Sequence, residues 1–306
     1  MNNLVCDSGY IIRNLYKSYK VDNEEHVVLS DISLNIDRNH ITVILGESGC
    51  GKTTLLRAIA SLEGINSGEI RFINDNKEYR PNVGFVFQES RLMPWLNVSE
   101  NIAFHNQRKN TILNKVLRKF KHNKRIIGKI INDNFRSLET NDNLNKSNKY
   151  NRKSNIDVEK YLKMMNLQKF KNSYPNELSG GMAQRVSIAR ALSFNPDMLL
   201  MDEPFSALDY FTRIDMQNEV IKIHKSTNKG VIFVTHDIDE ALKIGKKIVV
   251  FTDERKIKEF NILSNITRSF ELISYLTGLY SLIKLSPACL FSASFNLQCL
   301  PNSRTS

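Results

Sequence analysis

The sequence predicts an α/β fold in which a mainly parallel sheet is wrapped by helices, and three observations carry that prediction. Four short apolar runs, Ile41–Leu45 and residues 198–201, 231–234 and 248–251, have the length of buried strands. Helical segments such as Ile238–Ile244 alternate with them, and strands that alternate with helices pair in parallel with both faces covered. The first run also passes directly into Gly46, Glu47, Ser48, Gly49, Cys50, Gly51, Lys52, Thr53 and Thr54. These residues satisfy G-x-x-x-x-G-K-[ST] between a strand and a helix, the context in which that pattern carries meaning.

Each element can be justified in turn. Leu55, Leu56, Ile59 and Leu62 follow the glycine-rich loop at helical spacing. At such a turn the glycines let successive amides wrap a phosphate, Lys52 supplies a cation for the terminal phosphates, and the Thr53 hydroxyl can ligate magnesium. Further on, Ser179 is a suitable N-cap, Gly180 and Gly181 open a helix, and Val186, Ala189 and Leu192 recur along one of its faces until Asn195 and Pro196 stop it. Exposed amides at a helix start carry partial positive charge, and bare glycines let a phosphate come close. The strand at 198–201 ends in Asp202 and Glu203. A carboxylate at a strand tip beside a phosphate loop can hold magnesium, so Asp202 is assigned to the metal. Its neighbour points elsewhere, and Glu203 is assigned as the general base for the attacking water.

The phosphate loop, residues 178–182 and Asp202-Glu203 occur together in the order found in ABC ATPases, and from residue 11 to 251 the chain resembles one ABC nucleotide-binding domain. That resemblance implies a P-loop NTPase core of the RecA-like kind, with a mixed, mainly parallel sheet, an antiparallel β region and an inserted helical subdomain. It divides the chain into residues 1–88, the first part of the ATP-binding core, 89–177, the helical subdomain, 178–252, the second part of the core, and 253–306, an atypical tail. It implies ATP and Mg2+ as ligands. Tyr19, expected in the loop after the first strand, would stack on adenine. Gln88 would sense magnesium and the lytic water while touching the transport partner, His236 would contact the terminal phosphate, and Asp209 would lie at a dimer interface. Since the chain has a phosphate loop of its own, Ser179, Gly180 and Gly181 would face the ATP held by a second subunit.

A narrower resemblance covers residues 87–102, where Leu92-Met93-Pro94-Trp95-Leu96 is similar to the ATPase subunits of bacterial importers for nitrate, aliphatic sulfonates and taurine. It implies a peripheral protein on the cytoplasmic face of the membrane. Its partners would be an ABC permease, a second ATPase subunit, identical or paralogous, and indirectly a solute-binding protein. The Pro94-Trp95 turn, flanked by Leu92 and Leu96, either docks the permease or lets Trp95 fill the subdomain's own core.

Charge and cysteine content bound the rest. Residues 106–155 hold fourteen Lys or Arg, three Asp or Glu and twelve Asn, a balance of +11 that equals the charge of the whole chain. The core is therefore neutral on balance, and the insertion reads as a solvated segment or as a patch for anionic lipid or RNA. A soluble ABC-type ATPase acting on nucleic acid or ribosomes is the competing function, which such a patch would serve. One phosphate loop, no sustained heptads and the Pro94-Trp95 segment favour the importer, so no specific nucleic acid is expected. The N-terminus lacks a basic start followed by an apolar core, so no secretory signal is expected. Cys6, Cys50, Cys289 and Cys299 have no metal-ligand spacing and read as reduced thiols, Cys50 with amides nearby that favour its thiolate. The end of the chain, from about residue 260, reads as a divergent tail packed on the core, a membrane-surface segment or a shifted reading frame.

Overall fold

The computed structural model describes residues 8–22, 24–75, 77–104, 157–252 and 256–262. Residues 105–156, which hold the basic insertion, and those after 262 lie outside it. The chain divides into two compact units, Met1–Arg91 with Asn195–Ser306, and Leu92–Phe194.

The first unit contains two sheets. One is six-stranded, in the order β10 (Ile257–Asn261), β9 (Lys247–Phe251), β3 (Ile41–Leu45), β8 (Gly230–Thr235), β7 (Met198–Asp202) and β6 (Val83–Val86). Five of these strands run parallel and β10 pairs antiparallel at the edge. Every residue of β3, β7 and β8 is buried, as expected of strands covered on both faces. The other sheet is antiparallel, in the order β2 (Glu24–Asp37), β1 (Ser8–Val21), β4 (Ser67–Asn74), β5 (Lys77–Glu78), and its long strands are buried on one side. Helix α1 (Lys52–Ile59) touches strands of both sheets, and its Leu55, Leu56 and Ile59 join a single core with Ile12, Leu34, Ile36 and Phe72 of one sheet and Ile44, Leu200 and Val234 of the other. The helix therefore fastens the antiparallel sheet to the parallel one, and the phosphate loop sits at its start.

The expected helix through Leu62 stops short. Ala60 caps it, Ser61 takes a φ of 54°, and Leu62 is left exposed. The hairpin of β9 and β10 was not expected from the sequence.

The second unit is helical. Helix α2 (Val98–Ile102) starts in a capping box of Asn97 and Glu100, α3 (Val158–Met164) is capped by Asp157, and α4 (Gly180–Ser193) by Ser179. The three helices touch one another and bury Val98, Ile102, Leu162, Val186 and Leu192. Helix α4 thus groups with residues 92–179, whereas the expected second core segment began at residue 178. Its partners explain the difference, since Ser193 Oγ donates to the Ile102 carbonyl at 2.8 Å and Tyr161 Oη to the Leu192 carbonyl at 3.3 Å.

A buried side chain fixes the Pro94-Trp95 turn. Asn101 Nδ2 donates to the carbonyls of Met93, Leu96 and Asn97, and its Oδ1 accepts from the Met93 amide at 2.9 Å. Leu96 is buried beneath the turn, which removes it from the apolar surface expected there, while Trp95 stays 38% exposed. Replacing Asn101 by Ala strands several buried backbone groups, so urea unfolding should show a loss of about 2–4 kcal/mol with nucleotide binding retained.

Candidate functional site

Three neighbouring parallel strands deliver the site. Leu45 of β3 lies opposite Thr235 of β8, and Val234 of β8 lies opposite Asp202 of β7. Their carboxyl ends therefore release the phosphate loop, His236 and Glu203 along one edge of the sheet, the place where open α/β sheets bind ligands.

The loop owes its path to glycine. Gly49 and Gly51 have φ of 83° and 108°, and a Cβ on Gly51 would come within 3.1 Å of the Val28 carbonyl oxygen. Lys52 is only 3% exposed, and its ammonium donates to the carbonyls of Gly46 at 2.9 Å and Glu47 at 2.6 Å. It also lies 3.7 Å from Glu203 Oε1. The Thr53 hydroxyl donates to Asp202 Oδ1 at 2.8 Å. Burial pushes the Asp202 carboxyl above its ordinary range, and the Thr53 bond, Arg57 and Lys52 draw it back.

Glu203 sits in the left-handed region with a φ of 42° and its second oxygen is 3.2 Å from His236 Nδ1. Its carbonyl accepts from Ser206 Oγ at 3.1 Å, and that hydroxyl in turn accepts from Gln88 Nε2 at 3.1 Å. Lys52, Thr53, Gln88, Asp202, Glu203 and His236, scattered over the sequence, are thus linked in one cluster. The donor set suits magnesium with a nucleotide triphosphate: one hydroxyl beside one carboxylate, and a cation within the loop. Among the described residues no group of three or more His, Cys, Asp or Glu could hold a metal by itself. A metal here would take its remaining ligands from phosphate and water, as magnesium does.

The chain matches the family described as ABC transporter over residues 29–206, more than half its length. It belongs to the ABC transporter family.

Individual ABC relatives agree. An aliphatic sulfonates import ATP-binding protein of Bacillus cereus is 37% identical over 227 residues, 74% of this chain and 74% of its own. A taurine import ATP-binding protein of Roseobacter denitrificans is 37% identical over 246 residues, 79% of this chain and 77% of its own. Among solved structures, a dimeric ATP-binding cassette in a post-hydrolysis state with ADP and phosphate superposes with a TM-score of 0.60 at 28% identity, covering 84% of this chain and all of that one (100%). ABC ATP-binding subunits homologous to this chain hydrolyse ATP in transport. No helix among the described residues is long and apolar enough to cross a membrane.

Other sequence-predicted residues of this ABC subunit are placed differently from the cluster or from expectation. Tyr19 lies within β1 opposite His26, not in a loop, because β1 continues to Val21 through register shifts. Its hydroxyl donates to Glu63 Oε1 and Lys17 Nζ lies 4.7 Å from its ring centroid. Ser179 Oγ accepts from the Met182 amide at 3.3 Å, and Gly180 and Gly181 form the first turn of α4. Asp209 caps α5 (Tyr210–Thr227), accepting from the Thr212 amide, and those bonds hold its carboxyl below the ordinary range. Ser48 lies in the turn before Gly49, and Thr54 in the first turn of α1. The thiolate expected at Cys50 is overturned, because burial pushes the thiol up and the pull of Lys52 does not offset it. Cys6, Cys289 and Cys299 lie outside the described residues.

Sequence reasoning missed Ser206 as a bridge and Glu240 as a brace. Glu240 is buried in α6 (Ile238–Ile244), where Oε2 accepts from Thr235 Oγ1 at 2.6 Å and Oε1 from Gln217 Nε2 at 3.1 Å. Thr235 Oγ1 also accepts from the Asp237 amide at 3.0 Å, so these bonds bracket His236. Only its position one turn into a predicted helix, three residues after Asp237, hinted at this. Burial raises the Glu240 carboxyl, Asp237 adds to the rise, and Thr235, Gln217 and Arg213 oppose it. A carboxyl with a higher pKa folded than unfolded takes up protons on folding. Stability therefore falls as pH rises from the unfolded value, about 4.3, through the folded one. Glu240→Gln keeps an acceptor for Thr235, and the Gln217 amide can turn so that its oxygen accepts from the new NH2, so the variant should be more stable at neutral pH and lack that part of the descent. Urea midpoints measured across pH check this, and a variant no more stable than the wild type at pH 7 contradicts it.

Proposed function

We propose that this chain is the ATP-hydrolysing, energy-coupling subunit of an importer for a small solute such as a sulfonate, taurine or nitrate. It works as a head-to-tail dimer on a membrane permease at the cytoplasmic face. The observation that carries this reading is the cluster at the sheet edge, where Thr53 meets Asp202 and Lys52 and His236 flank Glu203.

Each residue then has a task. The loop amides from Gly46 to Thr54 and the Lys52 ammonium bind the ATP phosphates, with Lys52 exchanging the Gly46 and Glu47 carbonyls for phosphate oxygens. Thr53, Asp202 and Gln88 hold Mg2+, which when bound neutralises charge on the terminal phosphates. Once Lys52 turns to phosphate, Glu203 loses its cationic partner and is free to take a proton from the attacking water. His236 Nδ1 steadies the other Glu203 oxygen, and its exposed ring reaches the terminal phosphate. Tyr19 stacks on the adenine. Its hydroxyl is already fixed by Glu63, so the ring costs little to order.

The second subunit completes the site. Ser179, Gly180 and Gly181 offer amides at the start of a helix of 14 residues, a natural terminus for the phosphate of the opposite subunit, with Asp209 at the interface. Trp95, held outward by the turn that Asn101 pins, provides the rigid aromatic area for the permease. The solute-binding protein is a partner at one remove. The importer names of the relatives support transport over nucleic-acid work, which rests on the insertion alone.

Glu203→Gln should keep ATP affinity while lowering kcat about 100- to 10,000-fold, and should trap an ATP-bound dimer visible by size-exclusion chromatography. Lys52→Ala should instead weaken ATP binding itself. Wild-type turnover in the Glu203 variant would remove it as the base. Ser179→Arg should lower turnover far more than ATP affinity in equilibrium binding, and equal losses in both would argue against a site shared between subunits.

A further inference from the structure

Tyr19 sits in a closed set of contacts. Its hydroxyl donates to Glu63 Oε1 and accepts from the Thr54 side chain. Lys17 Nζ stands over its ring, 4.7 Å from the centroid, and lies 3.7 Å from the same Glu63 oxygen. Three side chains therefore close a triangle: phenol to carboxylate, carboxylate to ammonium, ammonium to ring face. The Lys17 and Glu63 side chains are only 14% and 20% exposed, so solvent and salt screen their pairing less than on open surface. Arg57 adds positive charge near the phenol oxygen, but it is Lys17 that covers the ring. Local structure brings the three together. Lys17 and Tyr19 are two apart in β1, while Ser18 between them is engaged elsewhere, its hydroxyl donating to Glu25 Oε1 at 2.6 Å. After α1 the left-handed Ser61 turns the chain, and Asn66 ties it to β1: its amide donates to the Tyr16 carbonyl, and its Oδ1 accepts from the Ser18 amide, both at 3.0 Å. The early stop of α1 thus sets Glu63 beside Tyr19.

We propose that Lys17 and Glu63 are the positioning residues of the base-binding platform: Lys17 covers one face of Tyr19, Glu63 holds both the phenol and the ammonium, and a planar base is left the opposite face alone. This rests on the reading that Tyr19 stacks on adenine. Both residues act through Tyr19 rather than on the nucleotide. A cation over one face of an aromatic ring draws π density toward itself, which makes the other face a better partner for an electron-rich purine. Glu63 keeps the cation there, since a flexible ammonium with no carboxylate partner would turn to the triphosphate instead. Thr54 lies in the first turn of the helix that follows the phosphate loop, so its bond to the phenol oxygen also fixes the ring relative to the phosphates. A ring ordered before the nucleotide arrives loses less freedom on binding, and the gain appears only in the part of the affinity that the base supplies.

Equilibrium binding to the full chain, with Mg2+ present, tests the pair apart from catalysis. Calorimetry follows two probes: a non-hydrolysable ATP analogue, and inorganic tripolyphosphate, which lacks a base. Tyr19→Ala should weaken the analogue about 5- to 100-fold and leave tripolyphosphate unchanged. Lys17→Met and Glu63→Ala should each weaken the analogue about 3- to 10-fold, again without loss for tripolyphosphate, whose binding certifies a folded phosphate loop. Combined with Tyr19→Ala, neither should weaken the analogue further. Lys17→Arg, which keeps a cation for both the ring and the carboxylate, should bind both probes as the wild type does. The proposal is overturned if Lys17→Met or Glu63→Ala binds the analogue as tightly as the wild type, or loses tripolyphosphate to the same degree. It also fails if either adds to the loss in Tyr19→Ala, or if Lys17→Arg behaves like Lys17→Met. An analogue affinity untouched by Tyr19→Ala removes the stacking reading itself, a result distinct from a Tyr19 effect that Lys17→Met and Glu63→Ala do not share.

Discussion

Everything at the site depends on the register of three adjacent parallel strands. With Leu45 beside Thr235 and Val234 beside Asp202, chain segments up to 190 residues apart in sequence end at the same level of one sheet. A slip of one residue in any of these strands would turn its side chains to the opposite face and move its loop by about 3.3 Å, more than a hydrogen bond can absorb. The Thr53–Asp202 bond is the visible consequence, joining residues 149 positions apart at 2.8 Å. The register is in turn held by strands whose residues are all buried, so packing on both faces resists such a slip.

That rigid edge carries local costs. Glu203 adopts a left-handed backbone, an unfavourable conformation for a residue with a Cβ, at about 1–2 kcal/mol. Asp202 and Lys52 are both buried, and the ammonium is met by two carbonyls, the Cys50 sulfur at 4.0 Å and the neighbouring Glu203. Apolar burial in the sheets and α1 offsets such terms, since a single buried Leu or Ile contributes about 1.5–3 kcal/mol. Concentrating strained and desolvated polar groups at one edge of an otherwise apolar sheet is how a fold stores reactivity without losing stability.

The elements most legible in the sequence were those set by short-range rules. Ile41–Leu45 and Ile238–Ile244 stand where the apolar pattern puts them, and the strands at 198, 231 and 248 differ only at their ends. The glycine loop was legible because its conformation admits few other residues. What escaped depends on long-range contact. Tyr19 reads as a loop residue, yet pairing with β2 carries β1 past it. The strand Ile257–Asn261 mixes Lys, Glu and Asn with two apolar residues, and only the edge offered by β9 makes it a strand. Cys50 shows the same limit for chemistry, because the amides around it suggested a thiolate and the burial that decides its protonation appears only in three dimensions. Asn101 and Glu240 are polar residues in helices, ordinary in sequence, whose importance lies in the backbone or hydroxyl groups they satisfy.

Helix α1 ties the phosphate loop to the core. Lys52 opens it, and Leu55, Leu56 and Ile59 pack into the core shared by both sheets within eight residues that span only about 12 Å. In a close-packed interior such a helix shifts only by disturbing its neighbours, so the loop at its start is held in place by apolar contacts that never meet a nucleotide.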